Sequence, residues 1–257
     1  MLSYQHAYHA GNMADVHKHA LLASALDYLV QKPKPLSYIE THSGRGLYDL
    51  GGTEALKTGE AAAGISKVAG RFAPDHPYLR ALAHVRATGG ATAYPGSPLI
   101  AEALLRPEDR ITLAEMHPGE VQVLRRSVTR ADVRETDGEQ LAISITPPEP
   151  RRGLLMIDPS YELKDEFVRM PKLLMQLHRK WPVGVLILWY PVLASGAHDP
   201  LVRALADLEG MGDKALHHQV RFPPARPGHG MIGSGMVVIN PPWGLADAAA
   251  EVARVIG

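Results

Sequence analysis

Gly153-Leu154-Leu155-Met156-Ile157-Asp158-Pro159-Ser160-Tyr161 joins an unbroken apolar run to an acidic residue, a proline and an aromatic ring. An apolar run without polar alternation reads as a strand covered on both faces, the pattern of a parallel sheet between helices. At its end, the Asp158 carboxylate and the Pro159 carbonyl can each accept a hydrogen bond from an N–H, and the Tyr161 ring offers a stacking face. Such a set suits a flat heterocycle that carries an exocyclic amino group. Asn240-Pro241-Pro242-Trp243 offers comparable groups, so position in the fold has to choose between the two.

Working outward, short apolar runs at 36–40, 111–115, 154–158, 185–189 and 236–240 read as strands. The patterns at 119–130, 166–180 and 201–211 read as helices. This alternation predicts an α/β fold with a parallel sheet covered on both faces, whose ligands bind beyond the carboxyl ends of the strands near the switch in strand order. Glu40, Glu115 and Asp158 stand at predicted strand ends, and Asp137 follows a short strand-like piece around Val133. Asp158 follows the Glu115 and Asp137 units, which places it at the switch point. Asn240 closes the last strand, further away, and reads as a structural strand exit. From 51 to 94 the alternation stops: helical patches and glycine joints with no strand predict a small helical insertion within a single domain, 1–257.

The 257 residues are 46% hydrophobic, enough for a sizeable core, yet show no apolar run long enough to span a bilayer and no signal-like start. Lys plus Arg and Asp plus Glu both number 27, so the formal charge is zero. That argues against a broadly basic duplex-binding surface. Local basic clusters remain, at Arg125, Arg126, Arg130 and Arg134, at Arg151 and Arg152, and at His217, His218, Arg221 and Arg226. The absence of cysteine removes disulfides and thiolate metal sites and fits a cytoplasmic protein.

The 38–46 stretch, Tyr38 to Gly46, is a strand running into a glycine turn, but it carries neither the dinucleotide-binding glycine fingerprint nor a phosphate-binding loop. That excludes a nicotinamide oxidoreductase. S-adenosylmethionine needs different partners: a carboxylate for its ribose, an acceptor for its adenine amino group and a polar grip on its methionine end. Glu115, Asp137-Gly138 and the 40–46 loop supply these in turn. In the histidine-rich N-terminus, His17 and His19 are two apart and do not share a helix face, so no metal site is expected. The stretch reads as a polar lid in which Lys18 or His19 meets the cofactor carboxylate and Tyr4 reaches the substrate, or as a helix capped at Asp15. Tyr94-Pro95-Gly96-Ser97-Pro98 is a tight turn into a helix with Ser97 as N-cap, where free N–H groups could hold a carboxylate.

Enzymes that methylate the amino nitrogen of adenine end a strand with Asp, Asn or Ser, two prolines and an aromatic residue; here Ser160 replaces the second proline. Taken with Met1-Leu2-Ser3-Tyr4, His9-Ala10-Gly11-Asn12, Asp15-Val16-His17-Lys18-His19, Thr41-His42-Ser43-Gly44, Tyr94-Pro95-Gly96-Ser97-Pro98, Asp137-Gly138, Leu188-Trp189-Tyr190-Pro191 and Asn240-Pro241-Pro242-Trp243, the chain resembles the RlmJ family. Its members methylate N6 of an adenine in large-subunit ribosomal RNA. The resemblance runs from residue 1 to about residue 245. It implies a Rossmann-like, S-adenosylmethionine-dependent methyltransferase with a small helical insertion. It implies cofactor contacts at His19, His42, Ser97, Glu115, Asp137, Gly138 and Asp158, catalysis by Asp158, and a substrate contact at Tyr4; the residues themselves add Lys18 as a cofactor contact, and Pro159 and Tyr161 as the second acceptor and the stacking ring that hold the substrate base for catalysis. The working form expected is a cytoplasmic monomer acting on ribosomal RNA without metal or membrane. A DNA adenine methyltransferase, or a relative silenced by Ser160, are the alternatives.

Overall fold

The computed structural model describes residues 6–224, 228 and 230–257, and Tyr4 lies outside them. Its strands are β1 (Ser37–Glu40), β2 (Leu47–Asp49), β3 (Ala93–Pro95), β4 (Arg110–Glu115), β5 (Asp132–Glu135), β6 (Gly153–Ile157), β7 (Val185–Leu193), β8 (Ala215–Arg221) and β9 (Met231–Ile239). Seven of them form one sheet in the order β5-β4-β1-β6-β7-β9-β8. The first five in that order run parallel, whereas β9 is antiparallel to both β7 and β8. The expected parallel sheet is present in five strands, and β9 makes the whole sheet mixed. The reason is the connection: β8 and β9 pair directly as antiparallel neighbours, and the stretch between Arg221 and Met231 is too short for the crossover that a parallel pair needs.

Side chains alternate across the sheet as strand geometry requires. Leu154 and Met156 of β6, Val185 and Ile187 of β7, and Met236 and Val238 of β9 share one core with Leu22 and Leu26 of the Met13–Val30 helix and Val252 of the Leu245–Ile256 helix. Leu155, Ile157, Leu186, Leu188, Val237 and Ile239 share the other with Phe167, Leu174 and Leu177 of the Glu166–Lys180 helix. Both faces are sealed, so β6 reads as continuously apolar. Truncating Leu155 or Leu188 to Ala would cost about 2–5 kcal/mol.

Asn240 leaves β9 at the edge opposite to that where Asp158 leaves β6, because the strand runs the other way. Its side-chain amide donates to the Pro182 and Gly184 carbonyls at 2.8 Å each. At 51–94 the chain is helical, including Thr53–Thr58, Glu60–Ala63, Ile65–Val68 and Pro77–Gly89, but it closes with a strand that was not expected: β3 pairs antiparallel with β2. The predicted 201–211 helix is a short helix, Asp199–Ala204, followed by a 3-10 stretch, Ala206–Lys214, that is broken at Gly212 (φ 56, ψ −132). The 119–130 helix is observed as Pro118–Ser127. Beyond it the Glu102 carboxylate accepts the Thr129 and Arg130 N–H groups, which end the helix. No helix among the described residues is long and apolar enough to cross a membrane.

Candidate active site

Strand order reverses between β1 and β6, where Glu40 pairs with Met156. The chain leaves these two strand ends as Thr41-His42-Ser43-Gly44 and Asp158-Pro159-Ser160-Tyr161. A cavity of about 310 Å³ opens between them, at the lower end of the range for small-molecule sites. Lys18, His19, His42, Ser97, Glu115, Asp158, Pro159 and Tyr161 all line it. Asp137 and Gly138 do not line it.

The Met13–Val30 helix brings its polar residues here. Asn12 caps it, accepting the Asp15 N–H at 2.9 Å, so Asp15 is not the cap. Asp15 instead accepts from the Gly11 N–H and His6 Nε2, both at 2.9 Å, and stands 3.1 Å from Lys18 Nζ. Lys18 reaches on to Asp158, Nζ to Oδ2 at 2.6 Å. Burial alone would lower the Lys18 ammonium, but Asp158 and Asp15 outweigh it and hold it above the ordinary lysine range. Asp15 is pushed up by burial and pulled further down by His6, Lys18 and His19, ending well below the usual carboxylate range. Burial raises the Asp158 carboxyl, against the pull of Lys18. His19 is neutral, lowered by burial to about 3, and its Nδ1 lies 2.9 Å from the Tyr94 hydroxyl.

Tyr161 adopts φ 56, a left-handed conformation uncommon for a bulky residue and of the kind held at functional sites. Its ring stacks on Phe167 (4.5 Å between centroids, 25° between planes), and its hydroxyl donates to the Trp189 carbonyl at 2.7 Å. One face of Tyr161 is thus backed by Phe167, while the side chain also lines the cavity. Trp189 stands edge-on to Tyr161, with Lys18 Nζ 5.2 Å from its ring centroid. Behind it, Trp189 Nε1 donates to Ser234 Oγ at 2.8 Å, Ser234 meets His17 Nδ1 at 2.9 Å, and His17 Nε2 meets His218 Nδ1 at 2.9 Å. Burial, with His218 adding, lowers His17 to about 3, so this chain of contacts is uncharged.

On the β1 and β4 side, Glu115 accepts from the Gly44 and His117 N–H groups at 2.7 Å each. Burial lowers His42 to about 4 and raises Glu40 to about 8. Glu40 receives the Tyr38 and Ser97 hydroxyls. Ser97 is thereby corrected: Gly96 occupies the cap position, and the Ser97 side chain is engaged with Glu40 instead of the helix N–H groups. Asp137 caps the Gly138–Ile145 helix, accepting from Glu139 and Gln140. A Cβ on Gly138 would lie 1.8 Å from the Thr41 carbonyl oxygen, so glycine is what lets this helix approach the end of β1. Ser43 lines the cavity, and its buried hydroxyl has no partner among the described residues.

Sequence reasoning gives no role to His6 or Trp189, reads Asp15 only as a helix cap, and includes Ser43 only as part of the 40–46 loop. A buried lysine demands a counter-charge, and an acid three residues earlier on the same helix is the signal that could have found Asp15. Ser43, Trp189 and His6 come from separate elements, and no local pattern brings them together.

The family described as Ribosomal RNA large subunit methyltransferase D, RlmJ, matches residues 33–256. The chain is 39% identical over 252 residues to the ribosomal RNA large subunit methyltransferase J of Escherichia coli K12, covering 95% of this chain and 89% of that one. To the ribosomal RNA large subunit methyltransferase J of Haemophilus influenzae it is 38% identical over 260 residues, covering 98% and 92%. A crystal structure of a Legionella pneumophila protein superposes with a TM-score of 0.82 at 34% identity, over 96% of this chain and 92% of that one. The sheet is Rossmann-like, with an antiparallel β9. By these likenesses, spanning nearly its whole length, the chain belongs to the RlmJ family of ribosomal RNA large subunit methyltransferases.

Proposed function

We propose that this protein transfers a methyl group from S-adenosylmethionine to N6 of an adenine in 23S ribosomal RNA. The observation that carries the reading is the strand-end pair of Asp158 and Pro159 beside Tyr161, in a cavity at the switch point of a Rossmann-like sheet. The cavity fits the cofactor on its own terms. The Ser43 hydroxyl, without a partner among the described residues, the Glu115 carboxylate at a strand end and the cationic Lys18 are polar groups of the kinds its methionine end and ribose require. When bound, the cofactor supplies an electrophilic methyl group on a sulfonium.

The protein's part is positional and electrostatic. An adenine leaving its stack, at a cost of a few kcal/mol, would lie against Tyr161 with Phe167 bracing the far side. Asp158 and the Pro159 carbonyl would accept the two N6 hydrogens and turn the nitrogen lone pair toward the methyl group. Lys18 keeps Asp158 ionised in a cavity that would otherwise favour the neutral acid, so the residue can accept a hydrogen bond before transfer. After transfer, the excess proton on N6 has Asp158 as its nearest acceptor. Ser160 leaves both acceptors in place, so the missing second proline does not remove the grip. Substrates of this kind place the protein in the cytoplasm.

The test is methyl transfer to unmodified large-subunit ribosomal RNA, with duplex DNA in parallel. N6-methyladenosine in RNA alone is expected. Product in DNA alone, or cofactor binding without transfer to either, would overturn the proposal.

A further inference from the structure

A second cavity, of about 120 Å³, lies beside the first and shares Asn12 and Met231 with it. Its walls come from two parts of the chain that the proposed reaction does not use. Lys67 belongs to the Ile65–Val68 helix, and Phe222, Pro223 and Pro224 leave the end of β8. Phe222 is fixed in place: its N–H donates to the Ile232 carbonyl at 3.1 Å, and its half-buried side chain packs against the core. Pro223 and Pro224 are exposed beside it, and so is Lys67. The acid on this wall, Glu60, is buried and already answered, by His9 Nδ1 at 2.9 Å and Asn12 Nδ2 at 3.1 Å.

A rigid aromatic and proline shelf with a cation at its rim is what a single nucleotide needs: a flat apolar surface for the base and a positive charge for the phosphate. Continuity with the first cavity identifies which nucleotide. A base drawn in to Asp158 brings its covalently linked neighbour to the rim, where Asn12 and Met231 are common to both cavities. We infer that the groove between Lys67 and Phe222 is a subsite for the nucleotide adjoining the target adenine; this rests on the proposed function. The neighbour's base would lie on Phe222 and the linking phosphate near Lys67, adding to affinity without touching the reacting atoms.

The test compares binding of AMP with binding of dinucleoside monophosphates carrying adenosine at either end, each titrated into the full chain saturated with S-adenosylhomocysteine. One polarity of dinucleotide should bind about tenfold more tightly than AMP. Phe222→Ala should reduce that ratio to near one, and Lys67→Gln, a change at an exposed position that spares the fold, should reduce it about threefold. AMP and S-adenosylhomocysteine affinities should stay unchanged in both variants. Dinucleotides binding no better than AMP, or a ratio that survives both substitutions, would overturn the subsite. So would an equal loss of S-adenosylhomocysteine affinity, which would give the groove to the cofactor. Absence of methyl transfer with the ratio intact sinks the proposed function alone; a ratio of one with transfer intact sinks the subsite alone.

Discussion

Lys18 Nζ lies 2.6 Å from Asp158 Oδ2 while remaining 3.1 Å from Asp15 Oδ1, so one buried ammonium is shared by two carboxylates from distant parts of the chain. Removing one member of a buried ionic cluster leaves uncompensated charge behind and costs about 3–5 kcal/mol, while removing both partners together is far less harmful. Lys18→Met should therefore lower unfolding free energy by about that amount in urea denaturation, and Lys18→Met combined with Asp158→Asn should recover about 1–2 kcal/mol of it. Additive losses in the double variant would show that the two groups are not coupled.

Glu40 gives a pH dependence of definite sign. Burial is the chief cause of its rise to about 8 from the ordinary 4.5; Asp158 adds to it, and the Ser97 and Tyr38 hydroxyls oppose it. Between those two values the folded protein holds a proton that the unfolded chain has released, so stability is lost as pH rises through the window. Glu40→Gln carries no such proton. Its unfolding free energy relative to wild type should climb by up to about 1.4 kcal/mol per pH unit from pH 4.5 to 8 and then level off. A difference that stays flat with pH would show that Glu40 ionises normally.

Ser43 makes a prediction that separates binding from folding. Its buried hydroxyl has no partner among the described residues, so Ser43→Ala should leave stability within about 0.5 kcal/mol or raise it slightly. If that hydroxyl meets the cofactor, S-adenosylmethionine affinity in calorimetry should fall about five- to tenfold, one hydrogen bond's worth. Unchanged affinity would remove Ser43 from the cofactor contacts.

The alternating strands and their acidic ends were readable because burial on both faces writes a continuous apolar run into the sequence, as in 154–157, and the sheet then ends where polarity returns, at Asp158. What could not be read is of two kinds. The β2–β3 ribbon is three residues per strand, too short to show a period, and only Val220 of β8 is buried, so neither carries the apolar signal of a buried strand. Ser97 looked like a helix cap because its local sequence fits one. Its hydroxyl goes to Glu40, 57 residues away, a contact that only the tertiary fold creates. The Ser234–His17–His218 chain likewise joins residues about 200 positions apart.

That chain of contacts yields another prediction. Ser234 accepts the Trp189 indole N–H and meets His17, so Ser234→Ala leaves buried polar groups unpaired and should cost about 1–3 kcal/mol. Because Trp189 lines the cavity beside Lys18 and Tyr161, the RNA KM should rise severalfold with cofactor affinity unchanged. A loss of cofactor affinity with the RNA KM preserved would place Trp189 on the other side of the reaction.

The central claim is that Asp158, held by Lys18 at the end of β6, grips the amino group that is methylated. The most direct measurement is single-turnover transfer of labelled methyl from S-adenosylmethionine to unmodified 23S ribosomal RNA, comparing wild type with Asp158→Ala and identifying the labelled nucleoside. N6-methyladenosine should form with the wild type and fall at least about a thousandfold with Asp158→Ala, while the cofactor dissociation constant moves only a few-fold. Label in any other nucleoside, or wild-type rates from Asp158→Ala, would contradict the account.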